Sequence, residues 1–100
     1  MCGTILWLAP EIMAEEEYTE KADVFSFGII VWEILMRMEP YEGMSLMEVA
    51  IGVMNANLRP SPLPNCPILL KDMMKACWHP NPDQRPSFSE IVELLSKQLE

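Results

Sequence analysis

The sequence predicts an all-α fold, and three observations carry that expectation. Apolar residues recur at helical spacing in the long segments, and prolines punctuate the chain between them. No segment shows the period-two alternation of a half-buried sheet. The expected architecture is about four main helices around one buried central helix, tied by long loops.

The chain opens with "CGTILWLAPE", Cys2 to Glu11, which packs turn-forming Gly3 and Pro10, the Thr4 hydroxyl, the Trp7 indole and the Glu11 carboxylate into one short stretch. The acidic trio Glu15-Glu16-Glu17 then reads as a solvated loop. "KADVFSFGIIVWEILMRM", Lys21 to Met38, is the strongest helical element. Val24, Phe25, Phe27, Ile30, Val31, Ile34, Leu35 and Met38 leave it almost no polar face, and a helix apolar all round is a buried one. Thr19 suits its N-cap, Glu20 suits the positive end of the helix dipole, and Pro40 is expected to stop it. Such a helix needs protein on every side, more than the rest of this chain supplies.

"SLMEVAIGVMN" is the second main helix. Ser45 and Glu48 form an S-x-x-E capping box, and Leu46, Val49, Ala50 and Val53 make its inner face. The segment carrying Pro60, Pro62, Pro64 and Pro67 can only be loop. A third helix is expected over Ile68 to Trp78, and "HPNPDQRP" forms a second proline-rich loop. "SFSEIVELLSKQLE" closes the chain, with Ser87 and Glu90 as another capping box and Phe88, Ile91, Val92, Leu95 and Leu99 as the apolar stripe. Trp32, Trp78, Phe88 and the methionines are expected in the core.

Composition removes several function classes. A net charge of −8 argues against nucleic acid and against an anionic membrane surface, because both require cationic side chains to neutralise phosphates. Cys2, Cys66 and Cys77 are odd in number and show no C-x-x-C spacing, which suits free thiols in a reducing compartment. With His79 the single histidine, no zinc site of the usual Cys/His type is expected. No basic n-region stands at the start, and no apolar run approaches the ~20 residues of a membrane span. A soluble, cytoplasmic protein is the expectation.

Four stretches, in order, resemble the lower half of a protein-kinase C-terminal lobe. "GT..W.APE" (Gly3 to Glu11) resembles the end of the activation segment with its A-P-E motif. "KADVFSFG" resembles the start of the family's buried central helix, with Phe25 where Trp is usual. "PYEGMS" resembles the turn into the following helix, and "CWHPNPDQRPSFSEIVELL" resembles the closing stretch. The resemblance covers essentially the whole chain, residues 1–100, as a partial kinase domain. The C-W-x-x-x-P-x-x-R-P-x-F ending is shared by tyrosine kinases and the tyrosine-kinase-like Ser/Thr group. The Gly3-Thr4 pair, and Leu6 in place of a basic residue before Trp7, favour the latter, although Ile5 stands where the Ser/Thr pattern has Pro.

The resemblance implies roles residue by residue. Gly3, Thr4, Leu6, Trp7 and Leu8 would form a substrate-facing loop, with Thr4 directed at the catalytic residues and Trp7 lining the pocket for the residue after the phosphoacceptor. Glu11 and Arg85 would pair as a buried salt bridge, since a guanidinium fork can hold a carboxylate bidentately. Asp23 would anchor the catalytic loop by accepting backbone hydrogen bonds. Against these stand plainer readings: a turn hydroxyl for Thr4, a core aromatic for Trp7, two solvated charges for Glu11 and Arg85, and a first-turn helix residue for Asp23.

Phosphoryl transfer needs a phosphate-binding loop, an ATP-anchoring Lys, H-R-D-x-x-x-x-N and D-F-G. None of these motifs occurs in the sequence. No catalytic residue, metal ligand or cofactor site is expected in this chain, which should be inactive alone; ATP and Mg belong to the complete domain. The resulting expectation is a fragment of a Ser/Thr kinase whose partners are the remainder of the kinase domain and a protein substrate. A truncated, non-catalytic interaction module and a fragment of a tyrosine kinase are the alternatives, with an unrelated helical domain as the third.

Overall fold

A computed structural model describes residues 6–61 and 66–99, with side chains described to Lys97. Among the described residues five α-helices follow in order: α1 (Pro10–Met13), α2 (Lys21–Met36), α3 (Leu46–Asn55), α4 (Ile68–Cys77) and α5 (Phe88–Leu99). A 3-10 turn at Pro82–Gln84 sits between the last two, and no strand occurs among the described residues. The four longer helices match the expected main helices, and α1 is the addition. Pro10 starts α1 at its first position, where the missing N–H costs nothing and φ is already helical.

The two capping boxes form as their spacing predicts. Glu48 N–H donates to Ser45 Oγ at 3.1 Å while Ser45 N–H donates to Glu48 Oε1 at 2.8 Å. Glu90 and Ser87 repeat the exchange at 3.1 and 2.8 Å. Both glutamates are held below the ordinary carboxylate value, first by the hydrogen bond from the serine backbone and then by that from its hydroxyl.

Helix α2 ends earlier than Pro40 requires. Arg37 takes the left-handed conformation (φ 55°, ψ 38°) and its N–H returns to Glu33 O, so the helix closes at Met36 and leaves Met38 in the following turn. Its start also differs. Glu20 occupies the cap position in a helical conformation, and Thr19 acts from one residue further out, its Oγ1 accepting from Lys21 N at 3.2 Å. Helix α4 ends at Cys77, with Trp78 as its C-cap.

The core forms as two adjoining clusters. Ala22, Phe25, Ile29 and Trp32 of α2 join Ala9, Val49, Val53, Cys66, Met74 and Trp78 in the larger. Val24, Met73, Cys77 and Ile91 make the smaller, which seats α5. Gly28 lets α2 and α4 meet closely, since a Cβ placed there would lie 2.8 Å from Cys77 Cβ. Cys66 and Cys77 are free thiols, and desolvation pushes the Cys77 thiol up to about 11.

Four core expectations are corrected. Helix α2 is buried on one side only: Ile30, Ile34 and Leu35 lie exposed, with Ile34 at 69 %, and Met38 in the turn beyond it is exposed as well. Leu46 is exposed although Val49 and Val53 of the same face are buried. Among the described side chains of α5 only Ile91 is fully buried, while Phe88 is 41 % and Val92 61 % exposed; the Leu99 side chain lies outside the described residues. Phe88 sits at the rim, meeting Phe27 edge-on with ring centroids 5.8 Å apart. Met73 and Met74 are core, but Met38, Met44 and Met47 are exposed. Among the described residues, no helix is long and apolar enough to cross a membrane.

Candidate functional site

Gly3 and Thr4 of the expected substrate-facing loop lie outside the described residues, as do Cys2 and Ile5. Leu6 and Trp7 are half-buried and pack against the larger core cluster. Leu8 is half-buried beside Ala9, which is fully buried. Two hydrogen bonds fix Trp7 to α2. Its indole N–H donates to Glu33 Oε1 at 2.8 Å, and its carbonyl accepts from Ser26 Oγ at 2.6 Å. Trp7 is therefore held against the core, with its backbone position set by the central helix. Ser26 and Glu33 were not singled out from the sequence, although each is a polar residue within a largely apolar run.

The structure brings Glu11 and Arg85 together. Arg85 Nη1 donates to Glu11 Oε2 at 2.7 Å and Nη2 donates to Oε1 at 2.9 Å, the bidentate fork that a planar guanidinium allows. Arg85 is 2 % exposed and Glu11 6 %. Burial alone would raise the Glu11 carboxyl, but the hydrogen bonds from Arg85 and the backbone, with the charges of Arg85 and Arg59, hold it below its ordinary value. Arg85 spends its other donors on backbone carbonyls: Nε on His79 O at 2.8 Å and Nη1 on Lys21 O at 2.9 Å. Lys21 Nζ answers by donating to Arg85 O at 2.7 Å. One side chain thus ties α1, the start of α2 and the turn after α4 together. A buried pair with this many partners meets the condition under which desolvation is offset.

A second arginine went unnoticed in the sequence. Arg59 Nε donates to Trp78 O at 2.8 Å and Nη1 to Leu58 O at 2.7 Å. The guanidinium carbons of Arg59 and Arg85 lie 4.8 and 5.1 Å from the centroid of the Phe25 ring. Phe25 thus keeps the π-face that attracts cations while lacking the N–H of an indole. Nothing local in the sequence links Phe25 to Arg59, so only the fold reveals the contact.

Asp23 lies in the first turn of α2 and is exposed. It stands on the same helix as the uncovered Ile30 and Ile34, and its expected partners are not in this chain. No group of three His, Cys, Asp or Glu side chains able to hold a metal occurs among the described residues. Gly28 and Gly52 are packed against Cys77 and Leu58, so neither leaves backbone open to a phosphate.

The helical frame, the A-P-E helix braced by Arg85 and the capped closing helix agree with what comparison finds. The family described as protein tyrosine and serine/threonine kinase matches residues 2–95. Among curated relatives, HT1 of Arabidopsis thaliana, a serine/threonine/tyrosine-protein kinase, is 46 % identical over 96 residues, covering 95 % of this chain and 24 % of HT1. STY46 of the same plant, a serine/threonine-protein kinase, is 42 % identical over 95 residues, 95 % of this chain and 16 % of STY46. The Dictyostelium discoideum protein drkD, named a probable serine/threonine-protein kinase, is 45 % identical over 99 residues, 99 % of this chain and 8 % of drkD. The chain spans between 8 % and 24 % of the length of these three relatives. With the family model covering nearly all of it, the chain belongs to the protein tyrosine and serine/threonine kinase family and is a fragment of the kinase domain.

Proposed function

We propose that this chain is the substrate-side scaffold of a protein kinase of the tyrosine-kinase-like group, which transfers the γ-phosphate of ATP to protein Ser or Thr. The observation that carries the reading is the bidentate Glu11–Arg85 pair, which braces the segment bearing Leu6, Trp7 and Leu8 against the helical body. In this reading Gly3 and Thr4 complete the substrate-facing loop, and Asp23 accepts hydrogen bonds from the catalytic loop supplied by the rest of the domain. The exposed apolar side of α2 is where that remainder packs. The residues present do not fit ATP or Mg, so the nucleotide, the metal and the catalytic base belong to the remaining part of the kinase domain.

Calorimetry of the 100-residue chain with ATP and Mg is expected to show no binding. A micromolar, magnesium-dependent affinity would overturn the division of labour. For the complete domain, phosphorylation of matched Ser, Thr and Tyr peptides tests the acceptor class. Preference for Ser and Thr supports the tyrosine-kinase-like assignment, and preference for Tyr overturns it. HT1, whose name includes all three acceptors, makes the Tyr peptide a necessary arm of that test.

A further inference from the structure

A cavity of about 530 Å³ opens where α1, the end of α3 and the turn after α4 meet. Its apolar lining comes from Pro10, Ala14, Val53, Met54, Pro80 and Pro82. The prolines have fixed φ, so the groove is formed before anything enters it.

Its charge is one-sided. Glu11, Glu16 and Glu17 lie on the wall, and no described Lys, Arg or His does. Glu11 is neutralised by the Arg85 fork. Glu16 and Glu17 are exposed and make no ion pair among the described residues. A second source of negative potential adds to theirs. Helix α3, 10 residues long, reaches this cavity through Met54 and Asn55 at its end, and its last turn carries no basic residue. Its terminal carbonyls therefore keep the partial negative charge that a Lys or Arg in that turn would offset. The cavity is bordered neither by Leu6, Trp7 and Leu8 nor by the exposed Ile30, Ile34, Leu35 and Met38. It is thus apart from the loop assigned to the substrate and from the side of α2 assigned to the rest of the domain.

We infer that this groove is a docking site for a protein segment bearing an arginine next to an apolar residue. The guanidinium is held by Glu16, Glu17 and the negative end of α3, and the apolar side chain seats on Val53, Met54 and the prolines. Arginine suits the site better than lysine, because its planar fork serves separate carboxylate and carbonyl acceptors and is more weakly hydrated than an ammonium. A metal ion fits poorly, since no group of three His, Cys, Asp or Glu able to hold one occurs among the described residues. Nucleic acid, an anionic bilayer and a second copy of a chain of net charge −8 are all opposed by the same potential. The inference uses the helical body alone and stands whether or not the Ser/Thr assignment holds.

Fluorescence anisotropy of labelled peptides titrated with the complete kinase domain tests it. The peptides contain no Ser, Thr or Tyr, so none can act as a phosphoacceptor. One carries Leu-Arg-Leu between glycines. In the others the arginine is replaced by citrulline, which has its shape without its charge, or both leucines are replaced by glycine. The first is expected to bind about tenfold or more tightly than either of the others, the size of one charge-assisted contact. Its advantage over the citrulline peptide should shrink as salt is raised. Glu16→Gln with Glu17→Gln should remove the preference for arginine. Asn55→Lys places a cation at the end of α3 and should do the same, with the melting temperature equal or higher. All three side chains are exposed, so both variants should fold as the parent does, which circular-dichroism melts check. Equal binding of the arginine and citrulline peptides, or indifference to Glu16→Gln with Glu17→Gln in a folded domain, would overturn the proposal. So would displacement of the peptide by calcium, or self-association that the same double variant abolishes, which would seat a second copy in the groove.

Discussion

Arg85 illustrates how one residue can hold three segments. Its side chain bonds to Glu11 and to the carbonyls of Lys21 and His79, all from a site closed to water. Arg85→Met strands the Glu11 carboxylate, and Glu11→Gln strands the guanidinium, so each should cost about 3–5 kcal/mol in urea unfolding. Arg85→Lys keeps the charge but cannot reproduce the fork, and should recover only a minor part of that loss. The pair also sets a pH dependence. Glu11 titrates below its ordinary value of 4.5 in the folded chain, so its contribution is complete above that pH. It is lost as pH falls through the depressed folded value. Unfolding free energies of the parent and Glu11→Gln should therefore differ by a constant amount above about pH 4.5 and converge on further acidification. A gap that begins to close near neutrality would show that another group governs the acid limb.

At the scale of elements, the helix ends and the close contacts decide stability. Ser87→Ala removes one arm of the α5 capping box and should cost about 1 kcal/mol in a thermal or urea melt, with Ser45→Ala similar at α3. Gly28→Ala sets helix propensity, which favours Ala by about 1 kcal/mol, against a Cβ driven onto Cys77. The 2.8 Å approach to Cys77 Cβ and 3.4 Å to the Met74 carbonyl leave no flexible tip to yield, so the substitution should be destabilising by about 1–3 kcal/mol. The capping boxes were legible in the sequence because both partners lie within one turn of each other. The Glu11–Arg85 pair was legible only through its resemblance to a known motif, since spacing alone gives no reason for residues so far apart to meet. The Arg59 contact with Phe25 had neither kind of signal. Helical periodicity placed Ile91 and Leu46 equally on inner faces, yet Ile91 is buried and Leu46 is not. Periodicity fixes which residues share a face, while burial depends on whether another element covers it.

The molecule as a whole is asymmetric in the same sense. One side of α2 is sealed by α4 and the Arg85 cluster, whereas Ile30, Ile34, Leu35 and Met38 face outward together with no cover among the described residues. A contiguous exposed apolar surface of this kind marks an interface or an aggregation liability. For a fragment of a kinase domain, its natural occupant is the remainder of that domain. Ile34→Glu separates this reading from an accidental patch. In the isolated chain it removes an exposed apolar side chain, so dye binding and self-association should fall while the melting temperature changes little. In the complete domain the same change buries an unpaired carboxylate, and both folding stability and phosphotransfer should collapse. Tolerance in both contexts would mean that α2 meets solvent on this side even in the intact kinase. Loss of stability in the isolated chain would instead mean that Ile34 is already covered there, by a second copy of the chain.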